Sequence, residues 1–126
     1  MRRLYFQTSL KLIPMVPNQN SDAVAHAVGQ SLKVNFHNMK KAAMVLRAMN
    51  HKLRQQILAL IDSEKKITVT EIYVRLRLEQ SVASQHLAIM RKSGIVNTIR
   101  DGKFIHYSVN HKRIAEINKF VNELID

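Results

Sequence analysis

Residues 79–93 read Glu-Gln-Ser-Val-Ala-Ser-Gln-His-Leu-Ala-Ile-Met-Arg-Lys-Ser. Ala83, Leu87 and Met90 recur at i, i+4 and i+7, the apolar stripe of one amphipathic helix, which leaves Gln80, Ser81, Ser84 and Gln85 on its other side. Those four side chains are uncharged and can both donate and accept hydrogen bonds. Such a face suits base edges: Gln can pair with adenine in the major groove, and Ser with several bases. Arg91 and Lys92 close the segment, and Gly94 supplies a residue able to take the left-handed conformation that stops a helix. The stretch reads as a recognition helix. His86, one residue before the core position Leu87, is open to two readings, a DNA contact or a histidine packed between helices.

Working outward, Thr68-Val-Thr-Glu71 fits a capping box, with Thr68 accepting from the backbone at Glu71 and Glu71 reaching back to the backbone of Thr68. It predicts a short helix carrying Ile72 and Leu76 and ending near Arg77, only a few residues before the recognition segment. Further upstream, Leu53, Ile57, Leu60 and Ile61 have the spacing of a core helix that stops near Ser63. Before it, Asp22 can cap a short helix with Val24, Val28 and Leu32, and Phe36, Met39, Ala43 and Leu46 carry the amphipathic pattern on to about Asn50. Residues 1–20, with Pro14, Pro17, Asn18 and Asn20, lack a sustained period and read as a flexible arm, leaving 21–126 as one domain. Leu4–Ser9 carries no readable function, and an extended start with Met15 as the true first residue is as good an account of it as chance.

Downstream, Ile95–Arg100 and Lys103–Val109 are β-prone runs separated by Asp101-Gly102, a strong hairpin signal with Arg100 and Lys103 flanking the tip. Asn110 can cap a last helix in which Ile114, Ile117, Val121 and Leu124 share a face, broadened by Phe120 and Ile125. The expected fold class is therefore mainly α with a small β-hairpin wing, a winged helix-turn-helix. The apolar faces of the first and last helices, with Phe36, Met39, Ile117, Val121 and Leu124, exceed what one small domain needs and point to dimerisation through those helices.

At the residue level the chain resembles the ArsR/SmtB-type transcriptional regulators between about Ala48 and Asn110. His51, Leu53, Arg54, Ile57 and Leu58 match that family's opening core helix, and Gln80, Ser81, Ser84, Gln85, His86 and Leu87 its recognition helix. Gly94-Ile95-Val96, Arg100-Asp101-Gly102-Lys103-Phe104 and Tyr107 match its wing. The resemblance implies a homodimer that represses transcription by occupying an operator. Two positions depart from the pattern: Arg77 stands where the family usually has Gly, and Glu79 where it has Ser or Thr. An Arg in the left-handed region costs on the order of 1 kcal/mol and Glu caps less well than Ser, which predicts a turn that is looser or differently shaped.

The sensor positions depart further. Where metal-sensing members carry a Cys-x-Cys, this chain has Thr68 and Thr70, poor ligands for soft metals, and the last helix offers only His111, with Asn118 and Asn122 in place of ligands. The chain has no cysteine, which excludes disulfides, thiolate metal sites and thiol redox sensing. His26, His37, His51 and His111 are scattered without an i, i+4 pair, so neither a metal nor a cofactor is expected. Met39, Met44 and Met49 lie at five-residue steps, keep no single helical face and read as filler of the core and dimer contact.

Twenty Lys and Arg against nine Asp and Glu give a net charge of +11. Eight of the basic residues and only two acidic ones fall between Arg75 and Arg113, around the recognition segment. The partner implied is double-stranded DNA, with Gln80, Ser81, Ser84, Gln85 and His86 as base readers and Arg91, Lys92, Arg100 and Lys103 on the backbone. Enzymatic activity is not expected: there is no nucleophile elbow and no Gly-rich phosphate loop. No apolar run reaches the roughly 20 residues of a membrane span, so the expected location is the cytoplasm and no membrane partner is implied. The rival reading is a winged helix whose main partner is a protein. Any effector, an apolar ligand or a protein engaging the first and last helices, is not selected by the sequence.

Overall fold

The computed structural model describes residues 32–126. The basic arm and the helix expected after Asp22 lie outside that range. The described elements are α1 (Phe36–Met49), α2 (Lys52–Glu64), β1 (Ile67–Thr68), α3 (Val69–Arg75), α4 (Gln80–Lys92), β2 (Val96–Asp101), β3 (Phe104–Val109) and α5 (His111–Ile125). The chain divides between Lys40 and Lys41. In the first part Lys33 has positive φ, and the Asn35 side chain accepts from the Asn38 backbone at 3.0 Å. A new helix therefore starts at Phe36, with its own cap, where the sequence pattern runs on from Leu32.

In the second part Ile57 and Ile61 of α2, Ile72 of α3, Leu87 and Met90 of α4, Ile95, Val96 and Ile117 of α5 form the core. Around it a three-stranded antiparallel sheet runs in the order β1-β3-β2. The two-residue β1, paired Ile67 to Tyr107 and Thr68 to His106, has no sequence expectation behind it, since two residues carry no period. Among the described residues, no helix is long and apolar enough to cross a membrane.

Thr68 caps α3 as expected, its hydroxyl accepting from Glu71 N at 3.3 Å. The reciprocal half of the box differs: the Glu71 carboxylate takes the Thr68 hydroxyl proton at 3.0 Å rather than the Thr68 backbone N–H. α3 ends at Arg75, earlier than the sequence suggests, because Leu76 and Arg77 are spent on stopping it. Arg77 has φ 54°, its N–H bonds to Val74 O at 3.3 Å, and Leu78 N–H reaches Tyr73 O at 2.9 Å. That is a complete Schellman stop with Arg in the position usually held by Gly. The turn is closed, not loosened. α4 ends by the same bonds, Gly94 N–H to Arg91 O and Ile95 N–H to Met90 O, each 3.0 Å, with Gly94 at φ 80°.

The wing differs from expectation by one residue. Asp101 pairs with Phe104 as the last rung of the ladder, so the two-residue loop is Gly102-Lys103 and not Asp101-Gly102. Gly102, at φ 61°, is first in that loop and Lys103 has negative φ, the pattern of a II′ hairpin with Gly leading.

The doubled stop motif makes a prediction. Arg77→Gly should stabilise the protein by about 0.5–1 kcal/mol, because relief of the left-handed strain exceeds the extra chain entropy of Gly. The urea midpoint should rise at unchanged slope; a fall would show that the Arg77 side chain contributes more than its backbone strain costs.

Candidate nucleic-acid interface

The buried stripe of α4 fixes which side of the helix meets solvent. Ala83, Leu87 and Met90 are buried, while Gln80, Ser81, Ser84 and Gln85 are all exposed. A helix allows no compromise between the two sets, because burying positions four apart turns the intervening ones outward. Glu79 occupies the N-cap without a side-chain hydrogen bond. The first backbone N–H groups of α4 therefore receive nothing from it, in keeping with its weakness as a capping residue. Arg91 and Lys92 lie exposed in the last turn.

The structure sets His86 apart from the four exposed polar residues. It is half-buried on the side of α4 that meets the start of α2, its Nδ1 3.2 Å from an Arg54 guanidinium nitrogen and its ring centroid 4.9 Å from that of His51. Burial first, then the nearby His51 and Arg54, hold the His86 imidazole below its ordinary pKa. Of the two readings the sequence left open, this geometry is that of a histidine packed between helices.

Arg54 is the functional residue whose role the sequence conceals. Its Nε donates to Ala48 O at 2.8 Å and another guanidinium nitrogen to Arg47 O at 2.9 Å, so it covers the last carbonyls of α1 while reaching α4. Gln55 adds a bond from its amide to Met49 O at 2.9 Å. Helix ends leave such carbonyls unpaired, and here the next helix supplies the donors. A link between residues 54 and 86 leaves no trace in local spacing.

The far end of α4 is tied to the wing and α5. Asn110 caps α5 by accepting from Arg113 N at 3.2 Å and donates its amide to Gly94 O at 2.9 Å. Arg113 Nε donates to Ser93 O at 3.2 Å, and its stem would touch any Cβ placed on Gly94. Arg113, one of the eight basic residues around the recognition segment, thus serves the scaffold.

On the wing, Arg100 and Lys103 are exposed at the tip. Arg100 leans over the turn, Nε 3.4 Å from Gly102 O, and Lys103 Nζ stands 5.7 Å from the centre of the Phe104 ring. Of the residues expected at a dimer contact, Ile117 is only 8% exposed and belongs to the protein's own core, Val121 is half-buried, and Leu124 is 66% exposed. The free apolar surface of α5 is Phe120, Leu124 and Ile125. In the first part of the chain, Met39 is exposed and Phe36 half-buried. Of the positions that would carry metal thiolates, Thr68 is spent on the α3 cap and Thr70 is exposed.

Residues 51–98 match the family described as bacterial regulatory protein, arsR family. The transcriptional activator HlyU of Vibrio cholerae is 36% identical over 88 residues, 69% of this chain and 80% of that one. The transcriptional repressor PagR of Bacillus anthracis is 33% identical over 92 residues, 73% of this chain and 92% of that one. The solved structure of PagR superposes with a TM-score of 0.56 over 69% of this chain and 99% of its own, at 32% identity. HlyU gives 0.54 over 71% and 97%, at 33% identity. The family is one of bacterial regulatory proteins, and both relatives are regulators of transcription. With α2, α3 and α4 inside residues 51–98 and relatives more than 30% identical over more than two thirds of its length, the chain belongs to the ArsR family of transcriptional regulators.

Proposed function

We propose that this protein is a sequence-specific DNA-binding repressor that acts as a homodimer and lays α4 in the major groove. The observation that carries the reading is the face of α4: four uncharged hydrogen-bonding side chains, all exposed, on a helix whose apolar positions are buried. Gln80, Ser81, Ser84 and Gln85 read bases, and Arg91, Lys92, Arg100 and Lys103 bind phosphates and set register. We place His86 with the residues that position α4 and not with the base readers, a reading supported by its half-burial and by its Nδ1 lying 3.2 Å from Arg54.

Relatives regulate in both directions by name, PagR as a repressor and HlyU as an activator. Repression is favoured here because occupancy of a site is all the described residues need to supply. The exposed Phe120, Leu124 and Ile125 support pairing through α5. Two recognition helices related by a two-fold axis require a pseudo-palindromic operator with half-sites about one helical turn apart. Control by soft metals through the Cys-x-Cys positions does not fit, since Thr68 and Thr70 stand there and Thr68 has a structural task.

Selection of bound fragments from random duplexes tests the reading directly, and absence of any enriched palindrome would overturn it. Affinity should fall steeply with salt, with a log–log slope of about −0.9 per neutralised phosphate. Arg100→Ala with Lys103→Ala should flatten that slope and weaken all duplexes alike; a change in base preference would make the wing a reader. Ser84→Ala and Gln85→Ala should relax discrimination at particular base pairs by about 1–3 kcal/mol with the fold intact. Unfolding of either would mean that the buried face is misplaced. Val121→Glu with Leu124→Glu should give monomers that no longer hold the operator, read by analytical ultracentrifugation and gel shift; a wild-type monomer binding a palindrome tightly would defeat the dimer.

A further inference from the structure

Arg54, carried by α2, spends its one guanidinium on two other helices. From α2 it donates to Arg47 O and Ala48 O at the end of α1 and lies 3.2 Å from His86 Nδ1 on α4. A guanidinium has donors only and stays protonated, so His86 Nδ1 is the acceptor and the ring is neutral with its proton on Nε2. His51, packed against His86, uses its own Nδ1 to accept from the Arg54 backbone N–H at 3.4 Å. Two histidines thus present the same nitrogen, as an acceptor, to the same arginine. A proton on either nitrogen sets a donor against a donor. Among the described residues, the charged or titratable groups facing the His86 ring are Arg54 of α2 and His51 at its N-cap, with no carboxylate beside them; α1 contributes the carbonyls that hold Arg54 in place.

We infer that Arg54 and His86 are a positioning pair that joins the recognition helix to the first two helices only while His86 is neutral, so that acidification weakens base readout. The inference rests on the reading of α4 as the recognition helix. The sign follows from linkage. Because burial and its neighbours hold His86 below its ordinary pKa, the unfolded chain binds the proton more readily. The joint is at full strength above about pH 6.5 and is lost as pH falls through the folded value. Added positive charge acts the other way, since it tightens binding to any duplex. The ratio of specific to non-specific affinity separates the two effects.

The test uses the full chain, an operator recovered from random duplexes at about pH 7.5, and a scrambled duplex of equal length. Between about pH 7.5 and the acid side of the His86 titration followed by nitrogen NMR, the wild-type specificity ratio should fall by about fivefold or more. In His86→Asn the side-chain oxygen takes the place of Nδ1 as acceptor and cannot titrate, so most of that fall should vanish. Arg54→Lys keeps the charge without the fork and should lower the ratio at both pH values. Nitrogen NMR of the free protein should show His86 Nδ1 unprotonated at neutral pH, a readout that needs neither DNA nor the Arg54 variant. A wild-type pH profile in His86→Asn, a ratio that rises on acidification, or a protonated Nδ1 at neutral pH would overturn the pair. If no duplex is preferred at any pH, the recognition-helix reading fails, and the NMR titration still decides whether the pair exists.

Discussion

The phase of α4 is set by burial of Ala83, Leu87 and Met90, and the rest of the structure follows from that constraint. A fully buried Leu or Met side chain contributes about 1.5–3 kcal/mol over the exposed state. Rotating α4 by half a turn would lose two such terms and drive Gln85 and Ser84 into a core with nothing to satisfy them. The polar face is therefore held outward by apolar chemistry on its opposite side, and the residues proposed to read bases need contribute nothing to folding. That division leaves them free to be chosen for their partner.

Phase alone does not fix the pitch of a helix on its scaffold; that takes contacts at both ends. At the N-terminal side α4 is preceded by a Schellman stop in which Arg77 takes the left-handed place, and at the C-terminal side by the same stop with Gly94. Asn110 and Arg113 bond to Gly94 O and Ser93 O, which couples the base of the wing and the start of α5 to the end of α4. Arg54 and His86 hold the middle. The face proposed to read bases is exposed, whereas its supports are backbone carbonyls and half-buried side chains, so the precision of such a site would come from residues that do not touch a base.

Much of this was legible in the sequence, and the reason differs by element. Helices α2 and α4 show themselves through period, since burying one face of a helix leaves a repeat that survives without any tertiary knowledge. The hairpin shows itself through Gly102, but its register does not: Asp-Gly favours a loop one residue earlier, and the ladder through Asp101 and Phe104 decides the matter. β1 is too short to have a period. A stripe gives the direction of a face and not its depth, so the sequence groups Ile117 with the contacts for a second subunit; in place, that stripe runs from buried Ile117 to exposed Leu124. The Arg54 link to residue 86 was beyond any local reading, since both residues have ordinary alternatives at their own positions.

The charge distribution sharpens the distinction between affinity and recognition. A chain with net charge +11 and exposed cations on the wing and at the end of α4 is attracted to every duplex, and that attraction carries no sequence information. On the proposed reading, discrimination falls to the uncharged residues of α4, where each well-placed bidentate contact is worth about 1–3 kcal/mol. A genome offers some millions of competing sites, so the few contacts of one helix are not enough to find one operator. A second copy of the helix in a two-fold related half-site doubles the discriminating energy while the chain stays the same length. The requirement for specificity over a strongly basic background is thus itself an argument that the exposed apolar end of α5 is used to pair two subunits.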